Sequence, residues 1–290
     1  MPYNTDGGSH RDGVKNEKDV VAHLNADNGK SLNLDKMFEN EDLRFVQIGG
    51  TKSVSDMDIL TAQEEKLSGT SIKNHKEGSG SFDYLNTSKL GDYLPEEAVT
   101  SIRDGIAAIK EEFYGDKTQA QKNSPARLRK NAVLSAAFEH ITSDDLKKIL
   151  QVINSRNPEL IMINDIKNKK LKCYRESAFT ELSSEPYKAS NTYALRISQR
   201  GAMESRQITR NGELTNLRIR ITLNNGVTAL LGIGPKKKSS IPVIKIQQDN
   251  VDALLAATQS YSECDFGVEP AEEKNNEDDL SAAMTGLTLQ

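Results

Sequence analysis

At about residue 159 the hydrophobic pattern of this chain changes period, and that change constrains the fold class. Upstream, from roughly residue 95 to 155, apolar residues recur at helical spacing: Ile102, Ile106 and Ile109 form one stripe, and Leu146, Ile149, Leu150 and Ile153 another. Downstream, Leu160-Ile161-Met162-Ile163-Asn164-Asp165 reads as a strand, and Leu171-Lys172-Cys173-Tyr174-Arg175 as its hairpin partner across Lys167 to Lys170. A chain carrying both periods buries helix faces against sheets. The expected class is α/β in the broad α+β sense, a mixed-sheet core with helices followed by a β-rich C-terminal region.

Local signals mark the elements. Pro95-Glu96-Glu97-Ala98 opens one helix, a second covers Ser124 to Phe138, and Ser143-Asp144-Asp145-Leu146 opens a third that Asn157-Pro158 stops. Further strands are expected over Tyr193 to Gln199, Leu217 to Leu223, Thr228 to Ile233 and Val243 to Gln247, with Asn224-Asn225-Gly226 as a tight turn. Asp249 to Thr258 reads as a closing helix. The expected organisation is a flexible N-terminus over 1–12, a core with its helical segment over 13–155, a β-rich region over 156–260 and an acidic disordered tail over 261–290.

Two short runs near the N-terminus carry the candidate chemistry. On a strand, alternation puts Asp56, Asp58 and Leu60 on one face and Met57 and Ile59 on the other. On a partner strand from about Lys66 to His75, Ser71, Lys73 and His75 share a face while Ile72 turns to the core. Paired carboxylates beside a lysine suit Mg²⁺, a hard cation bound through one or two carboxylates plus phosphate oxygens. Glu17 lies three, four and seven residues from Val20, Val21 and Leu24, so it shares their helical stripe, where a carboxylate needs a cation or a donor.

Helix with inward Glu, strand with Asp and strand ending in a Lys motif together resemble the PD-(D/E)XK nuclease superfamily, the restriction-endonuclease-like fold, over residues 13–90. The resemblance implies that Asp58 binds Mg²⁺ with Glu17, that Lys73 assists the nucleophile, and that Asp56 competes with Asp58 as the metal ligand. Ser71 stands where the family usually has an acid, and no Pro precedes either Asp. The activity implied is Mg²⁺-dependent hydrolysis of DNA phosphodiesters, with a type II restriction endonuclease as the leading subtype and a homodimer for cutting both strands.

The expected DNA contacts fall in two places. Asn74 to Ser88 is rich in Gly and Ser and reads as a phosphate-contacting loop, with His75, Lys76, Ser79, Ser81 and Asn86 as contacts. Net charge is only −4, yet between residues 195 and 245 ten basic side chains stand against two acidic ones. Such a segment suits phosphate binding by counterion release. Arg196 and Arg200 alternate along one strand, Arg218 and Arg220 repeat that parity, and Arg206 and Arg210 lie between them.

Composition bounds the alternatives. Two distant cysteines, Cys173 and Cys264, and four histidines support neither a disulfide framework nor a zinc site. No apolar run approaches a membrane span, so an intracellular, cytoplasmic protein of a cell or virus is expected. The competing expectations are a non-catalytic nucleic-acid-binding protein with a degenerate nuclease fold, and a structural or assembly protein.

Overall fold

The computed structural model describes residues 8–48, 55–76, 81–156, 159–175, 190–197, 204–234 and 239–267. In chain order the elements begin with α1 (Gly8–Asp27), α2 (Leu34–Met37), β1 (Arg44–Gln47), β2 (Met57–Leu60), β3 (Lys66–His75) and β4 (Ser81–Thr87). Three helices follow: α3 (Glu96–Phe113), α4 (Pro125–Ala136) and α5 (Ser143–Arg156). The rest is β5 (Leu160–Asp165), β6 (Lys170–Arg175), β7 (Tyr193–Ile197), β8 (Ser205–Arg210), β9 (Glu213–Leu223), α6 (Gly226–Leu230), β10 (Pro242–Asp249), α7 (Val251–Ala257) and β11 (Ser262–Asp265).

Two sheets result. The first has the order β1-β2-β3-β5-β6-β11, antiparallel except where β5 returns parallel to β3 after the helical excursion. The second, β4-β10-β9-β8-β7, is antiparallel throughout. Both sheets draw strands from either side of residue 155. The mixed α and β class expected from the change of period is the class observed.

Strand β5 explains why the first sheet is covered on both faces. Its Leu160 to Ile163 run does not alternate because each side has a hydrophobic partner. Leu160 and Met162 join Met57, Ile59 and Ile72 under Val20 and Leu24 of α1. Ile161 and Ile163 turn the other way and meet Tyr174, Phe82 and Val251 of α7. In the second sheet Ile208, Ile219, Ile221, Ile244 and Ile246 pack on Ile102, Leu134, Leu146 and Ile149 of the helices. Each such side chain, fully buried, contributes about 1.5–3 kcal/mol.

Several expectations change. Helix α1 begins at Gly8 rather than near residue 13. Thr228 to Ile233 is not a strand: α6 occupies its first half, and β9 and β10 pair directly around it, with Thr222 opposite Val243. Asn224-Asn225-Gly226 therefore leads into a helix instead of closing a tight hairpin. The two-residue turn lies at Asn211-Gly212 between β8 and β9, where both φ values are positive, 53° and 86°, as a type I′ turn requires. The expected Gly/Ser loop is largely strand, the end of β3 and all of β4, and residues 77–80 between them lie outside the described residues. Among the described residues no helix is long and apolar enough to cross a membrane.

Candidate active site

The β2–β3 hairpin sets the geometry. Met57 faces Thr70 and Asp58 faces Gly69, so Ser71 and Lys73 stand on the sheet face away from α1, with Ile72 between them in the α1 core. Asp56 sits one residue before β2. Its amide donates to the Thr70 carbonyl at 2.9 Å, and its carbonyl accepts from the Ile48 amide at 3.0 Å. Lying off the strand end, its carboxylate reaches across to β3. There Oδ2 accepts the Ile72 amide at 2.7 Å and the Ser71 hydroxyl at 3.1 Å. Lys73 Nζ stands 3.9 Å from the same oxygen. The Asp56 and Lys73 side chains are 27% and 29% exposed, so both are reachable from solvent.

Asp56, Ser71 and Lys73 therefore come together, and the other expected ligands do not join them. Asp58 is buried and ion-paired to Lys66 at 2.7 Å. Glu17 Oε2 accepts from Gln47 Nε2 at 2.9 Å, at the end of β1. Its neighbour Asn16 is the more deeply buried of the two, accepting at 2.7 Å from Asn164 Nδ2 on β5. Among the described residues no three of His, Cys, Asp and Glu are placed to hold one metal ion.

The expected DNA contacts divide in the same way. His75 is buried, with Nε2 at 2.6 Å from Asp252 Oδ1 on α7, so it is not an open phosphate contact. Lys76 is exposed at the end of β3, and Asn86 is exposed on β4 opposite Lys245. Ser81 opens β4 opposite Asp249. Ser79 and Arg200 lie outside the described residues.

Among the arginines, cross-strand partners decide availability. Arg196 is exposed on the edge strand β7, and Arg210 lies opposite Glu213. Arg206 points to the helices: it donates to Ser135 Oγ at 2.6 Å and lies over the Phe138 ring at 4.8 Å. It shares a face with Ile219, its partner on β9, and burial pulls its guanidinium below the usual value against the pull of Glu139. Arg218 is paired with Asp249 at 2.8 Å and Arg220 with Glu204 at 2.6 Å, while Glu204 also holds Lys130 at 2.6 Å. The Arg218 and Arg220 ladder is thus charge-compensated within the protein rather than an open row of phosphate-binding cations.

Sequence reasoning missed Gln47, Asn16 and Asn164, which carry no local pattern, and the acids Asp249 and Glu204. Glu204 had one signal, being one of two acids in the basic segment. No protein-family model and no curated protein matches this chain.

Proposed function

We propose that the protein is a Mg²⁺-dependent DNA endonuclease of the PD-(D/E)XK type whose working carboxylate is Asp56 rather than Asp58. The observation that carries the reading is the approach of Lys73 to Asp56 at the end of the hairpin, with Ser71 on the same carboxylate oxygen. The donors beside Lys73 are hard oxygens, a carboxylate and a hydroxyl, which fit an ion that keeps its waters and takes its remaining ligands from phosphate. Mg²⁺, when bound there by Asp56, supplies charge neutralisation at phosphate and a more acidic water.

The chain's own groups do the rest. The Ile72 amide and Ser71 hydroxyl hold the Asp56 carboxylate in one orientation. Lys73, a point charge on a flexible stem, donates to a water or a phosphate oxygen that enters the site. Cutting both strands calls for two such sites, hence a homodimer of the restriction-endonuclease kind. The single acid of the cluster favours a second reading, a DNA-binding protein that keeps this fold and does not cut.

Single-turnover assays on labelled duplex DNA with Mg²⁺ separate the readings. Cleavage lost in Asp56→Asn and in Lys73→Ala but kept in Asp58→Asn supports the proposal. Cleavage lost in Asp58→Asn and kept in Asp56→Asn refutes the assignment. Tight DNA binding by the wild-type chain without any cleavage supports the second reading.

A further inference from the structure

We infer that Asn164 is a positioning residue for the candidate active site, acting from the opposite face of the sheet. Its Nδ2 donates to Asn16 Oδ1 on α1 at 2.7 Å and to Asn74 Oδ1 on β3 at 3.2 Å. Asn74 is the residue after Lys73 and lies directly opposite Asn164 in the parallel β3–β5 register. One amide group therefore ties together the helix, the strand that carries Lys73 and the central strand β5.

A side-chain amide in a largely apolar layer is costly unless it is satisfied, and Asn16 is only 7% exposed. Val20, Leu24, Met57, Ile59, Ile72 and Met162 are among the apolar residues that pack in that layer. Replacing hydrogen-bonded partners together by apolar groups of the same shape is close to neutral for stability, so stability alone does not call for asparagines here. What hydrogen bonds add is direction: they hold the end of β3 in one register against α1. On the site face the same strand end is held by the His75–Asp252 contact at 2.6 Å, and the Ile166 amide donates to the His75 carbonyl at 3.2 Å. The β3 backbone next to Lys73 is thus held from both faces. A misplacement of about 1 Å by a change far from the chemistry costs about 10²-fold in rate.

The inference rests on the nuclease reading for its rate measurement but not for its structural one. Asn164→Leu removes both hydrogen bonds. Asn164→Asp keeps two acceptor oxygens, which the Asn16 and Asn74 amides satisfy by turning their Nδ2 groups inward. With duplex DNA and Mg²⁺, Asn164→Leu is expected to lower kcat about 10²-fold with KM within about 2-fold, and Asn164→Asp to restore kcat to within about 3-fold, both margins smaller than about tenfold.

Hydrogen exchange at the Ile72 amide, the donor to Asp56, gives the second readout. Exchange faster in Asn164→Leu and normal in Asn164→Asp supports the positioning role even if the wild-type chain does not cut. That result with no wild-type cleavage counts against the nuclease reading alone. Unchanged exchange and unchanged kcat in a folded Asn164→Leu overturn the inference, as does a rise in KM that accounts for the whole loss. If Asn164→Leu fails to fold, Asn74→Ala, which removes only the longer bond, takes its place under the same expectations.

Discussion

Replacing Glu204 with Gln tests how α4 is joined to the second sheet. Glu204 bridges Lys130 of α4 and Arg220 of β9, each at 2.6 Å, and the Lys130 and Glu204 side chains are 8% and 13% exposed. Removing the charge leaves the Lys130 ammonium buried without its counter-ion, a change that costs about 3–5 kcal/mol in such settings. Arg220 is more exposed and recovers water, so the lower end, about 3 kcal/mol, is expected. That is a large share of a stability of about 5–15 kcal/mol, and at about 2–4 °C per kcal/mol it lowers Tm by about 6–12 °C.

The pH dependence follows from the same contacts. Burial pushes the Glu204 carboxyl up, but hydrogen bonds and charge from Lys130 and Arg220 outweigh it and hold the group below its ordinary 4.5. A carboxyl depressed in the folded state stabilises above that value and loses its contribution as pH falls below it. Urea unfolding followed by circular dichroism at pH 7 and below pH 4.5 reads both quantities. The difference between wild type and Glu204→Gln is largest at pH 7 and shrinks in acid. A difference under about 1 kcal/mol at pH 7, the value of an exposed pair, or one that persists unchanged into acid, refutes the reasoning.

Other changes have equally direct readouts. Gly29 has φ +74° and a Cβ added to it would lie 2.6 Å from Phe45 Cζ, so Gly29→Ala is expected to cost about 1–3 kcal/mol by thermal melt. Met162, fully buried between β3 and β6, is expected to cost about 2–5 kcal/mol on truncation to Ala in urea titration. Burial pushes the Cys173 thiol up to about 12, so iodoacetamide at pH 8 is expected to spare it in the folded protein and label it after unfolding. Native-state labelling of Cys173 contradicts its placement.

Parts of this architecture are legible in the residues themselves. Period-two parity put Ser71 and Lys73 on one face and Ile72 on the other, because that relation needs only a strand. Ser124-Pro125 and Pro95-Glu96-Glu97 mark helix starts that the structure keeps, with Ser124 Oγ accepting from the Arg127 amide. Other parts depend on register, which no local pattern contains. Alternation made Asp56 and Asp58 equivalent, but only Asp56, lying off the end of β2, is free to reach the Ile72 amide. Asp58 meets Lys66 instead, next to the β2–β3 irregularity at Ile59/Leu60. The basic segment looked open because its acids, Asp249 and Glu204, are brought to Arg218 and Arg220 only by folding. Thr228 to Ile233 was too short for its period to separate helix from strand.

The most direct test of the account is conversion of supercoiled plasmid by the purified wild-type chain, with Mg²⁺ and with a chelator in its place. Nicked or linear plasmid that accumulates with Mg²⁺ and is absent with the chelator is the predicted result. Plasmid that stays supercoiled at protein concentrations sufficient to bind it contradicts the claim that Asp56, Ser71 and Lys73 form a working phosphodiesterase site.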